Sequence, residues 1–125
     1  MIEFFDGEKN KSFVSIYKSH ITFNKSLIKY LSDAYRARVG IDKKDNKIYI
    51  FPLNKDQALS GELNFDSLFA ISLSKTYARI CSKALVEYIC ENFELNIESD
   101  DYLRYNALYD DVKRAIVVDL AVEVK

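Results

Sequence analysis

The feature that most constrains this chain is an ordered set of four matches between its two halves. Ser15-Ile16-Tyr17-Lys18 answers to Ser72-Leu73-Ser74-Lys75, and Lys25-Ser26-Leu27-Ile28-Lys29-Tyr30-Leu31 to Lys83-Ala84-Leu85-Val86-Glu87-Tyr88-Ile89. The eight residues from Tyr35 match the eight from Leu103, and the seven from Lys47 match the seven from Arg114. The offset moves from 57 to 58, then 68, then 67. Those steps put the insertions and the deletion between blocks, where loops accept them. The pattern predicts one domain over residues 1–125, with repeat units at about 12–53 and 70–120 joined by a polar connector at 54–67.

The local patterns give each unit a plan of hairpin, short helix, hairpin. Phe13, Val14, Ile16 and Tyr17 suit a strand, Lys18-Ser19 a tight reversal, and His20-Ile21-Thr22-Phe23 a short returning strand. Asn24 is a good N-cap for a helix running to about Asp33, with Leu27, Ile28 and Leu31 as its apolar face. From Tyr35 the period becomes two, so Tyr35, Ala37, Val39 and Ile41 face one way and Arg36, Arg38, Gly40 and Asp42 the other. Residues 43–46 turn the chain into a strand over 47–51 that Pro52 ends.

In the second half, residues 70–73 read as a strand and 74–76 as a turn. Residues 77–80 are either a short strand or a backward extension of the next helix, since periodicity fits both. Ser82 caps a helix to about Phe93, with Leu85, Val86, Ile89 and Cys90 facing the core. The acidic stretch 94–101 is a loop or an extra helical turn, and a hairpin over 102–109 and 114–120 follows. Neither unit carries enough apolar surface to stand alone. The expected fold is therefore α+β, two duplicated β-hairpin/short helix/β-hairpin units packed about a pseudo-twofold axis.

The stretch His20–Leu53 reads ITFNKSLIKYL, then YRARVGID, then KIYIFPL. It resembles the swapped-hairpin AbrB/MazE/SpoVT class of small DNA-binding modules over about a third of the chain. Ile21-Thr22-Phe23 sits where that class has its strand, Lys25-Ser26-Leu27 opens the short helix, and Phe51-Pro52 closes the unit. Ser19-His20 stands in place of its Gly-Gln, and Asn24 in place of its Pro. The resemblance implies a barrel made of intertwined hairpins, with basic residues on strands and loops touching DNA.

Composition narrows the function classes. The 125 residues are 49% hydrophobic with 3 Gly and 1 Pro, which suits a packed domain rather than a disordered linker. No apolar run approaches the ~20 residues needed to span a bilayer. The first six residues carry acids where a secretory leader has a basic segment, so the expected compartment is the cytoplasm. Cys81 and Cys90, nine apart on a helical stretch, are too far apart for a disulfide and read as small buried apolar residues. With one His, two Cys and no Gly-rich phosphate loop or nucleophile motif, the expectation is no enzyme, no metal and no cofactor. His20 reads as a surface polar residue at a turn, and most of the 9 Tyr as core or core-rim residues.

Two functional readings remain, drawn from opposite charge on the two halves. Residues 1–55 hold 11 Lys and Arg against 6 Asp and Glu, a net of +5, and residues 56–125 hold 7 against 13, a net of −6. In the first reading the protein is a small DNA-binding regulator, with Lys18, Lys25, Lys29, Arg36, Arg38, Lys43 and Lys44 on phosphates. Arg36 and Arg38 are i and i+2 on a strand, about 7 Å apart on one side, close to the spacing of phosphates along a strand. In the second it is a protein-interaction module or inhibitor, of the kind carried by phage or mobile elements. Its surface would then be Glu94, Glu98, Asp100, Asp101, Tyr102 and Tyr105, facing a basic partner. A homodimer is compatible with both, because the two halves carry opposite charge.

Overall fold

A computed structural model describes residues 11–124. The leader reading of the first six residues lies outside them. Eight strands form one antiparallel sheet: β1 (Phe13–Ile16), β2 (His20–Asn24), β3 (Arg36–Asp42), β4 (Lys47–Leu53), β5 (Ser72–Leu73), β6 (Tyr77–Cys81), β7 (Leu103–Asp110) and β8 (Ala115–Glu123). Their order across the sheet is β3-β4-β8-β7-β1-β2-β6-β5. The sheet curls into a half-barrel. Ala37 of the outermost strand β3 and Phe69, in the segment that leads into β5, exchange backbone hydrogen bonds of 2.9 and 2.8 Å.

Alternation sorts the strands into two faces. Val14, Ile16, Ile21, Phe23, Ile48, Ile50, Ala78, Ile80, Ile116 and Val118 are buried in one cluster. The helix α3 (Lys83–Phe93) adds Leu85, Val86 and Ile89 to that cluster. It starts where Ser82 Oγ accepts the Leu85 N–H at 3.1 Å, and stops at Glu94, whose backbone is left-handed. Burying one stripe of an eleven-residue helix against a curved sheet is what holds both in place.

The expected fold class is corrected. The protein is mostly antiparallel sheet with 22% helix, closer to all-β than to α+β. The hairpins of the two halves also do not form separate packed units. The β1–β2 hairpin lies between β7 and β6, and β4 pairs with β8, so the halves interleave strand by strand. The first-half helix is short for a local reason. Asn24 is not spent on capping: its Oδ1 accepts the Phe13 N–H at 3.1 Å and its Nδ2 donates to the Lys11 carbonyl at 2.7 Å. The chain makes only a 3-10 turn at Lys25–Leu27 and the four-residue α1 (Ile28–Leu31) before β3 begins.

Smaller differences have equally local causes. Residues 77–81 are strand, which settles the open alternative there. The connector holds the four-residue α2 (Lys55–Ala58), opened by a capping box in which the Asn54 and Gln57 side chains each accept the other's backbone N–H. Pro52 does not end β4. It pairs with Ala37, whose backbone hydrogen bonds go to Phe69, so the missing proline N–H would point towards β8. The β4–β8 ladder has already stopped at Ile50, so the proline leaves that ladder intact. Cys81 is exposed and Cys90 half-buried rather than both being core residues.

Candidate functional site: an arginine-flanked recess on the outer sheet face

The side chains that alternate away from the core make an ordered surface on β7, β1, β2 and β6. Strand register aligns Arg104 with Ser15, Ser15 with Thr22, and Thr22 with Arg79. The result is one row across four strands, two guanidinium residues flanking two hydroxyls. Its ends are three strand spacings apart, about 14 Å between Cα atoms. Residues two positions away on each strand share the same face. On one side of the row stand Tyr17, His20 and Tyr102; on the other stand Phe13, Asn24 and Tyr77. All but Tyr102 line a recess of about 460 Å³, whose eleven lining residues include no Asp or Glu.

The aromatic rings and the arginines are built against each other. Tyr17 and His20 stack at 4.4 Å with planes 13° apart, and Tyr102 leans on Tyr17 at 5.2 Å. The Arg104 guanidinium lies 4.3 Å from the Phe13 ring centre and 4.9 Å from that of Tyr102. Its Nε donates to Ser15 Oγ at 3.0 Å. That bond satisfies a hydroxyl that is only 2% exposed, so Arg104 is anchored.

Arg79 is held differently. Its guanidinium sits 5.2 Å from the Tyr77 ring, and Nη2 makes only a long 3.5 Å contact to the Tyr77 hydroxyl. Its Nε is buried without a hydrogen-bond partner. Neither arginine has a carboxylate partner among the described residues. The Arg79 charge is felt next door: burial, and secondly that charge, lower the His20 pKa from its ordinary 6.5. The imidazole is accordingly neutral near pH 7 and stacks as a flat ring.

A charged fork with no acid opposite it, between rings and hydroxyls, can take an anion in plane. Phosphate is the best match, because guanidinium binds it through two parallel hydrogen bonds. No group of three or more His, Cys, Asp or Glu among the described residues could hold a metal ion.

The structure does not gather the basic residues singled out in the sequence into one surface. Lys18 is exposed in the β1–β2 turn, beside Lys83 and Glu87 of α3. Lys25 is exposed at the start of the 3-10 turn, and Lys29 projects over Tyr30, 5.1 Å from the ring centre. Lys43 and Lys44 are exposed in the turn between β3 and β4. Strand β3 lies at one end of the sheet, while β1 and β2 are fifth and sixth from it. Arg36 and Arg38 also part company. Arg38 is exposed, whereas Arg36 is half-buried over the rings of Tyr35 and Phe65 at 4.6 and 5.2 Å, with Nη1 donating to the Tyr35 carbonyl at 2.7 Å.

The acidic set divides as well. Glu94, Glu98, Asp100 and Asp101 are exposed in the loop before β7, where the Asp101 carboxylate accepts the Tyr102 N–H at 2.8 Å. Tyr102 is exposed and packs against Tyr17 and Arg104 outside the recess lining. Tyr105 is 4% exposed, so it is not an interface residue; burial, then Glu123 and Cys90, raise its hydroxyl pKa.

Net charge by halves overlooks Arg79 and Arg104, because both fall in the acidic half. The usable signal is alternation, since each is flanked by core-facing neighbours, as in Ala78-Arg79-Ile80. No family model, no curated protein and no solved structure matches the chain.

Proposed function

We propose that the protein is a non-enzymatic nucleic-acid-binding module that receives the phosphate backbone on the outer face of β7-β1-β2-β6. The observation that carries this reading is the Arg104–Ser15–Thr22–Arg79 row, cationic at both ends and bordered by rings, in a recess without a carboxylate. Arginines supply phosphate contacts and the Thr22 hydroxyl a short donor beside them, while Tyr17, His20 and Tyr77 offer flat surfaces. Contacts of this type set position along a strand and discriminate little between base sequences. Among the described residues no helix is long and apolar enough to cross a membrane, and a cytoplasmic role accords with the reading.

The test is a fluorescence-polarisation titration of the whole chain with labelled mixed-sequence oligonucleotides, at low and physiological salt. Micromolar binding that weakens steeply with salt is expected, because neutralised phosphates release counterions. Arg79→Glu should remove it, while Lys83→Glu, on α3 against the opposite face of the sheet, should leave most of it. Absence of binding at low salt, or equal binding by Arg79→Glu, would overturn the assignment.

A further inference from the structure

Gly40 occupies the middle of β3 for no reason that the backbone supplies. The β3–β4 register runs unbroken from Arg36 opposite Leu53 to Asp42 opposite Lys47, so there is no bulge at Gly40. Its backbone is not left-handed; among the described glycines only Gly61 is. A Cβ placed on Gly40 would meet no non-neighbouring atom within 4 Å. Glycine in a strand interior weakens it, and where no bulge calls for it, it marks a bend or a place where something approaches closely.

The cross-strand partner of Gly40 is Tyr49. An aromatic residue opposite a strand glycine commonly folds over it and covers the gap. Here it does not. The Lys113 ammonium, from the turn between β7 and β8, donates to the Tyr49 hydroxyl at 3.4 Å and lies 4.8 Å from the ring centre. Phe51, two residues on, stands beside Tyr49 with ring centres 6.3 Å apart and planes 18° apart. The space above Gly40 therefore stays open as a recess of about 480 Å³, with Tyr49 and Phe51 as walls and Lys43 and Lys113 at its margin. Asp42 also lines it, with its carboxylate engaged by the Asp45 N–H at 3.1 Å. Arg38, opposite Phe51 and two residues before Gly40, shares the same outward face.

We infer that this slot is a second contact on the nucleic acid, taking one unpaired base over Gly40 against the Tyr49 ring, with flanking phosphates on Lys43, Lys113 and Arg38. The inference rests on the nucleic-acid reading above. It adds a strand preference: a paired base is stacked on both faces and cannot enter, so the slot serves single strands only. Charge complementarity selects this occupant over a neutral aromatic ligand, because Lys43 and Lys113 border a ring-walled gap and Arg38 lies on the same face.

The experiment compares the wild-type chain with Gly40→Val and Tyr49→Ala, using a labelled twelve-nucleotide oligothymidylate and a mixed-sequence duplex of the same length. A Cβ at position 40 meets no non-neighbouring atom within 4 Å, and valine suits a strand while narrowing the slot, so the melting temperature should hold or rise. Single-strand affinity should fall about tenfold in both variants, the size of one base–ring stack, while duplex affinity stays within about twofold. If Gly40→Val binds the single strand as the wild type does, the slot is refuted while the Arg79 site stands. If the wild type binds neither oligonucleotide, both fall together. Equal loss of single-strand and duplex binding also overturns the inference, since that is a general effect on charge or shape.

Discussion

Replacing Arg79 with methionine separates binding from stability, because the structure sets the two in opposition at this residue. The Arg79 Nε is buried with no partner. A buried polar group left unsatisfied costs about 1–3 kcal/mol, and methionine removes it. Against this stands the contact of the guanidinium with the Tyr77 ring at 5.2 Å, worth about 0.5–1 kcal/mol at a partly exposed site. The 3.5 Å contact to the Tyr77 hydroxyl is too long to add much. The aliphatic stem of arginine is replaced by a chain of similar length, so packing is kept. The balance favours Arg79→Met by about 1 kcal/mol, or about 4 °C in melting temperature. Binding should move the other way. Loss of a charge-assisted bond to phosphate, about 1.5–3 kcal/mol, weakens affinity about tenfold or more. The slope of log affinity on log salt should shrink by about 0.7–0.9 for each phosphate that is no longer neutralised. Thermal denaturation by circular dichroism and the polarisation titration read the two effects on one preparation. A variant that melts lower than the wild type and binds equally well would show Arg79 to be a structural prop, and the reasoning would be wrong.

Two further predictions concern the frame and the histidine. Ser82→Ala should cost about 1 kcal/mol and lower the urea midpoint without changing the dependence on denaturant, because it removes the 3.1 Å cap to the Leu85 N–H at the start of α3. His20 is the chain's one histidine, and burial and Arg79 hold its folded pKa below 6.5. The folded protein therefore takes up its proton later than the unfolded chain. Its contribution to stability is complete above about pH 6.5 and is lost as pH falls through the folded pKa. Wild type minus His20→Asn, measured in urea at about pH 7.5 and about pH 5.5, should show this loss; a difference unchanged between the two would refute it. A bound phosphate would favour the protonated ring, so oligonucleotide binding should tighten towards the acid side in the wild type alone.

The parts of this fold that follow from short-range chemistry were legible in the sequence. Ser82 to Phe93 reads as a capped helix with Leu85, Val86 and Ile89 inward, and the chain builds that helix. The turns at 43–46 and 110–113 read from their polar residues, and Asp42 and Asp110 each tie such a turn by accepting backbone N–H groups. The class of the fold was not legible, because it depends on which strands of the two halves pair: β4 on β8, and the β1–β2 hairpin between β7 and β6. Local propensity does not contain that pairing.

The recess was hidden for a related reason. Its four central residues are at positions 15, 22, 79 and 104, and nothing local relates the hairpin pair 15 and 22 to 79 or 104. Only the insertion of β1–β2 between β7 and β6 brings them to one row, and a slip of one residue in any ladder would turn one of them into the core. Net charge by halves points elsewhere because it averages over both faces of every strand. The acids of the second half are largely in loops and on α3, while its two strand arginines alternate outward beside Tyr77 and Tyr102. Charge density on one face of a sheet, counted after register is known, is what a phosphate backbone meets. On that count the outer face of β7-β1-β2-β6 is cationic although the segment supplying both arginines is acidic. The interleaving of the hairpins is therefore the event that assembles the candidate site.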